Sequence, residues 1–185
     1  GARTALGVVA ATACAGIIVG VVVKTGLGLA LANSLVKLAG GSIMLTLFLV
    51  MIASLVLGMG APTTANYVIT STIAAPAILT LLAPNTPMEL VPLVTVMSAH
   101  FFVFYFGIIA DITPPVALAA FAASGISGGD PIKTGVHSAK LAIAAFIIPY
   151  MIVLQPALLM VDVTILQIVW VTISAVIGMI GIGAG

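Results

Sequence analysis

Apolar residues run through this chain in long blocks, and the interruptions between blocks carry the information. Leu6 to Val23 is apolar, includes Gly7, Gly16 and Gly20, and ends at Lys24. It predicts a membrane-spanning helix whose small residues allow close packing. From Lys24 to Gly41 the residues Lys24, Asn33, Ser34 and Lys37 lie among leucines, which predicts an amphipathic arm helix at the membrane interface. Ser42 to Leu57 and Ala65 to Leu82 are two apolar limbs around Gly58-Met59-Gly60-Ala61-Pro62-Thr63-Thr64. Pro76 divides the return limb, leaving about ten residues, or roughly 15 Å of helix, between it and the tip. That is about half of a hydrocarbon core of roughly 30 Å, so 42–82 is expected to form a re-entrant hairpin rather than two full spans.

Ala83 to Glu89 reads as an interfacial turn. Leu90 to Ala110 predicts a helix dense in aromatics toward its end (Phe101, Phe102, Phe104, Tyr105, Phe106). A second interruption, Ala110-Asp111-Ile112-Thr113-Pro114-Pro115, is followed by a helix expected to run to about Ser124. Residues 124–134 form the most polar loop, Gly135 to Met160 a span kinked at Pro149 and Pro156, and Val163 to Gly183 a last span.

Glycine loosens a helix, and proline removes a donor and clashes with the preceding turn, so neither interruption can be regular helix. Irregular backbone at membrane depth survives only when it is buried in protein or lines a polar cavity. At each interruption one helix ends with free carbonyls (Val56 to Gly58; Ile108 to Ala110) and another restarts at a Thr beside a Pro. Pro suits the first helical position and Thr suits the N-cap, so Thr113 is expected to cap a helix opening with Pro114. Pro62 takes the corresponding place before Thr63 and Thr64, whose hydroxyls fall in a first turn. Helix starts attract carboxylates, and carbonyl ends attract a small hard cation such as Na⁺. The expectation is two broken elements that meet to hold an anionic solute and its coupling ion.

Composition sets the class: 63% of residues are hydrophobic and 5% charged, whereas soluble domains carry about 25% charge. The fold class is all-α, a polytopic integral membrane protein. A net charge of +1 without a basic run excludes nucleic acid as a partner, and the single Cys14, expected to pack, excludes a disulfide framework. The chain opens Gly-Ala-Arg and ends within an apolar run, as expected of a piece of a longer protein, and no signal peptide is recognisable. Arg3, Lys133 and Lys140 fall on one side and Lys24 and Lys37 on the other, which places the 124–134 loop in the cytoplasm and opens the hairpin outward.

Asp111 is the carboxylate at membrane depth, where an uncompensated charge costs roughly 2.5–3.5 kcal/mol. It either binds the cation or carries a proton, or it caps the amides of the broken turn. His100 lies three helical turns earlier on a similar face and is a packing residue or a ligand. Asn66 and Tyr67, in the first turn after the tip, are within reach of solute; Tyr105 orders its helix. Asp130, Lys133, His137 and Lys140 read as a solvated loop and helix end. Ser127-Gly128-Gly129-Asp130 lacks the first Gly of an intramembrane aspartyl protease, and no hydrolase, zinc-protease or P-loop string occurs, so the chain is not read as an enzyme.

Leu57 to Tyr67, Ala99 to Gly107, Ala110 to Ala119 and Pro156 to Leu159 together resemble the large membrane (M) subunit of tripartite ATP-independent periplasmic (TRAP) transporters. The likeness runs from about Gly16 to Met160 and is closest to the C-terminal half of the fused-permease form. The resemblance implies a Na⁺-driven importer of organic anions, usually carboxylates, in a prokaryotic inner membrane. It implies a periplasmic solute-binding protein, a small membrane subunit or its fused equivalent, an N-terminal half carrying the partner hairpin, and an elevator motion. Carried over, 42–82 is the second hairpin and 90–124 the second broken helix of a transport domain, with 1–41 and 135–185 as scaffold. Gly58, Gly60, Thr63, Thr64, Asn66, Asp111, Thr113 and Pro114 then map to the ion and substrate region, with His100 and Tyr67 as further candidates. Sodium would sit near Gly58, Gly60, Asp111 and Thr113, mainly on backbone carbonyls, and no other cofactor is implied. The residues leave two alternatives open: a proton-coupled carrier using Asp111 and His100, and a non-transporting membrane assembly subunit.

Overall fold

The computed structural model describes residues 2–58, 63–115 and 117–184. Ten helices follow one another among them: α1 (Ala2–Thr25), α2 (Leu27–Leu38), α3 (Ile43–Gly58), α4 (Thr63–Ile73), α5 (Ala75–Leu82), α6 (Leu93–Ile109), α7 (Leu118–Ser127), α8 (Pro131–Leu141), α9 (Ile143–Leu154) and α10 (Ile165–Ala184). Short 3-10 turns lie at Met88–Leu90, Ala110–Ile112 and Pro156–Leu159. Thr63–Leu82, Leu93–Ile112 and Ile165–Gly183 are each long and apolar enough to cross a membrane, and two bent pairs add candidate spans. The protein is an all-α polytopic membrane protein.

Helix α6 is the centre. It starts after Pro92, whose ring needs no donor at a helix start, and buries Ser98, Ala99, Phe102, Val103, Phe106, Gly107 and Ile109. Spacings of three and four put these on one stripe. Against it α3 lays Leu47, Val50 and the small residues Thr46, Ser54 and Gly58. From the other side α9 brings Tyr150, whose ring meets Phe102 at 5.1 Å and Phe106 at 6.0 Å, while Phe146 meets Phe106 at 6.1 Å. The Tyr150 hydroxyl donates to Met51 Sδ at 3.3 Å, linking α9 to α3 across α6. Lipid tails are as apolar as leucine, so this core is held by dispersion and by aromatic pairs of about 0.5–1.5 kcal/mol each, rather than by exclusion of water.

Helices α3 to α5 form the hairpin, since α3 packs on both α4 and α5. Pro76 sits in the first turn of α5 and marks the break at Ala74. The break does not end the limb: Thr63–Leu82 continues as 20 residues, enough to cross the lipid. Limb length therefore does not by itself make the hairpin re-entrant. The first limb, α3, has 16 residues, roughly 24 Å at 1.5 Å per residue.

Proline has no N–H for the carbonyl four residues back, which here is Thr72. Helix α2 supplies its neighbour. A left-handed Gly26 (φ 68°) separates α1 from α2, and the axis turns by 76° between Gly16–Thr25 and Ala30–Leu38. The arm then lies on the hairpin with Ala32 and Ala39 buried and Asn33, Ser34 and Lys37 outward. Gly28 approaches so closely that a Cβ there would stand 2.6 Å from the Thr72 carbonyl oxygen. Only a residue without a side chain fits against that oxygen.

Several expectations change. The polar loop over 124–134 is mostly helical: α7 runs to Ser127, and Asp130 N-caps α8 by accepting from the Lys133 amide at 2.8 Å, with Pro131 next in line. The bend in the following span, 42°, falls between Leu141 and Ile143, while Pro149 lies inside α9 and Pro156 opens a 3-10 turn. Gly16 and Gly20 meet nothing within 4 Å, so the contact of α1 with α4 does not run through them. Cys14, expected to pack, is exposed.

Gly28→Ala is expected to lift α2 off the hairpin, because its methyl would face backbone rather than a side chain that can yield. Limited proteolysis at residues 38–42 should accelerate severalfold in the intact protein; an unchanged rate would refute the close contact.

Candidate functional site

The two interruptions come together in space. Helix α3 ends at Gly58, and the next described helix, α4, starts at Thr63; Met59, Gly60, Ala61 and Pro62 lie outside the described residues. Helix α6 ends at Ile109, passes through the 3-10 turn Ala110–Ile112, and reaches Thr113 in an extended conformation. A Cβ placed on Gly58 would stand 2.7 Å from the Cβ of Ala110. The end of the first limb therefore touches the start of the second break.

Asn66 joins them. It is fully buried in the first turns of α4, and its Nδ2 donates to the Gly107 carbonyl at 2.7 Å. A Cβ on Gly58 would be 2.5 Å from that nitrogen, and one on Gly107 would be 3.0 Å from it. Two glycines thus make the slot, and the amide fills it. The nitrogen must face Gly107, because the oxygen would meet another acceptor. Asn66 Oδ1 is buried without a hydrogen-bond partner among the described residues. Asn66 was expected within reach of solute; it is instead enclosed, and its donor is engaged by α6.

Thr113 does not cap a new helix. Its hydroxyl donates back to the Ile109 carbonyl at 2.7 Å and its amide to Ala110 at 3.3 Å, so it closes the end of α6. The restart comes later, at Leu118, after Ala117 in a left-handed conformation (φ 37°) and with no side-chain cap. The prolines hold Thr113 and Pro114 away from helical angles, and the chain does not resume a helix until Leu118. Pro114 packs on α8, where a Cβ on Gly135 would stand 3.1 Å from its Cγ.

Asp111 is half-buried in the 3-10 turn, adjacent in sequence to the Ala110 that touches Gly58. The turn's amides at Ala110 and Thr113 go to carbonyls, so these two are not capped by its carboxylate. Thr63 and Thr64 are exposed on the first turn of α4. Among the described residues no three of His, Cys, Asp and Glu gather into a cluster. A cation held here would draw on carbonyls, hydroxyls and at most one carboxylate.

Tyr67 turns to His100, its hydroxyl 2.9 Å from Nδ1, and its ring meets Phe104 edge-on at 5.5 Å. These two residues line a mainly apolar cavity of about 440 Å³ with Val96, Met97 and Phe101. His100 also borders a cleft of about 390 Å³ beside α5, where Ser71, Thr80, Asn85 and Thr86 contribute polar groups. Along a helix, His100 and Asp111 stand roughly 16 Å apart at 1.5 Å per residue, so they do not form a direct pair. The residue that sequence reading missed is Gly107; Ala110 was expected only as a carbonyl end. A glycine inside an aromatic helix was the available signal, since small residues mark close approaches in membranes.

A family model described as "Tripartite ATP-independent periplasmic transporter, DctM component" matches residues 1–166. No curated protein and no solved structure matches the chain.

Gly58→Ala should force the two breaks apart, with a cost of about 1–3 kcal/mol for overpacking. The melting temperature of the purified intact protein is expected to fall by several degrees. Gly20→Ala, which meets open space, should leave it unchanged, and equal behaviour of the two would refute the contact.

Proposed function

The chain belongs to the DctM-component family of tripartite ATP-independent periplasmic transporters, and from that premise we propose that it carries an organic anion, of the carboxylate class, by symport with Na⁺. The observation that supports this reading is the meeting of the two breaks, Gly58 against Ala110 with Asn66 holding Gly107. In this reading the amides at the start of α4, with the Thr63 and Thr64 hydroxyls, face the anion. Carbonyls at the ends of α3 and α6, with Asp111, hold the cation near Gly58, Gly60 and Thr113. Thr113 can act there through its backbone carbonyl and through its hydroxyl oxygen, whose hydrogen is donated to Ile109 and whose lone pairs stay free.

A periplasmic solute-binding protein delivers the anion, a small membrane subunit completes the permease, and the membrane is the inner membrane of a prokaryote. The transport domain comprises 42–124, moving as an elevator against 1–41 and 135–185. The segment moves a solute and breaks no bond in it. Proton coupling through Asp111 and His100 is the weaker reading, because the two stand roughly 16 Å apart along the helix and do not form a direct pair.

The test is uptake by the complete transporter in proteoliposomes. Removing Na⁺ should lower the initial rate at least tenfold, and Asp111→Asn should raise the half-saturating Na⁺ concentration about tenfold, equivalent to about 1.4 kcal/mol. Uptake at full rate without Na⁺ would overturn the coupling. Thr64→Ala is expected to raise the apparent KM for the anion; transport by the complex that is indifferent to both substitutions would favour an assembly role.

A further inference from the structure

We infer that Asn66 is a positioning residue of the transport site: through its bonded amide nitrogen it sets the separation between the helix start at Thr63 and the helix end at Ile109. The inference rests on the sodium-coupled reading above and deepens it.

Three observations lead there. The first is enclosure. Asn66 has no accessible surface, and its donor is bonded to the Gly107 carbonyl at 2.7 Å. The second is fit. A Cβ on Gly58 or on Gly107 would stand 2.5 Å or 3.0 Å from the same nitrogen, so the slot admits this side chain only between two glycines. The third is location. Gly107 lies where α6 gives way to the 3-10 turn Ala110–Ile112, so Asn66 bonds the last turn before the break. Thr70 Oγ1 in turn donates to the Asn66 carbonyl at 3.0 Å, tying the clasp into the next turn of α4.

One hydrogen bond across 41 residues of sequence thus joins the element that would present amides to the one that would present carbonyls. An anion and a cation bound side by side attract each other over a distance that this bond fixes. Lengthening it by an ångström would weaken both contacts together, although neither ligand would lose a direct partner. That distinguishes a positioning residue from a ligand.

The experiment is a double-substitution cycle read with sodium alone, by binding of radioactive Na⁺ to the purified intact permease. Asn66→Ala should raise the half-saturating Na⁺ concentration about tenfold. Gly107→Ala should do the same in part, by pushing on the amide, although Gly107 offers no side chain to any ligand. The double variant should be no worse than Asn66→Ala, because the methyl at 107 then occupies the emptied slot. Additive losses, or a silent Gly107→Ala beside a damaging Asn66→Ala, would make Asn66 a direct ligand and overturn the inference. Unchanged Na⁺ binding in Asn66→Ala would overturn it as well. Should Asn66→Ala fail to reach the membrane, Gly107→Ala by itself reads the same shift, and wild-type affinity there refutes the proposal. A wild-type permease that binds no Na⁺ would instead sink the coupling reading, and the same cycle read through the anion's KM would still test the clasp.

Discussion

A backbone amide or carbonyl inside lipid has no water to turn to, and this structure is shaped by where its interrupted helices find substitutes. Each unpaired group in hydrocarbon costs several kcal/mol, so a chain that stops and restarts a helix there must provide a partner from elsewhere. The end of α6 shows three solutions within seven residues. Gly107 accepts from the Asn66 side chain, Ile109 from the Thr113 hydroxyl, and Ala110 from the Thr113 amide. At Pro76 the solution differs: the carbonyl of Thr72, left without its usual donor, is met by the bare backbone of Gly28.

These substitutions require close approach, and close approach requires glycine. Gly28, Gly58, Gly107 and Gly135 each stand where a Cβ would come within about 3 Å of a neighbouring element. By contrast Gly16, Gly20, Gly178 and Gly181 meet nothing within 4 Å. The glycines of the first kind lie at the hairpin, the broken helix and their docking partners, which gives the centre of the molecule contacts that do not depend on a hydrophobic driving force. Helix α10 is the opposite case: none of its spanning window is buried in the chain, and only one stripe of it packs on α9 and the Pro156–Leu159 turn.

The same geometry bears on movement. α9 holds α6 through Tyr150 and Phe146, and α2 holds the hairpin through Gly28. In an elevator these are surfaces that must either travel with the moving part or slide. Aromatic rings interleaved at 5–6 Å resist sliding more than a glycine face does, because each ring must leave its neighbours before it can advance. Under the elevator proposed above, the glycine-faced arm would be the more natural bearing.

Much of the fold was legible in the sequence. The all-α class and the blocks of apolar residues follow from composition, and both interruptions follow from Gly and Pro, whose effects on backbone are local and need no partner. The family likeness was also carried by local strings. Boundaries that depend on capping were less legible. Thr113 before Pro114 has the chemistry of an N-cap, yet its hydroxyl turns back to Ile109 and no helix follows until Leu118. The 124–134 stretch reads as loop because it is polar, while Asp130 and Pro131 in fact start a helix there.

What the sequence by itself determined is where the helices must break, since a missing N–H or a missing Cβ acts on its own chain whatever surrounds it. What only the tertiary structure decided is who repairs each break. Asn66 and Gly107 are 41 positions apart, and nothing in the local pattern of either says that they meet. Their pairing depends on two helices crossing at one pair of glycines, which is a property of packed surfaces.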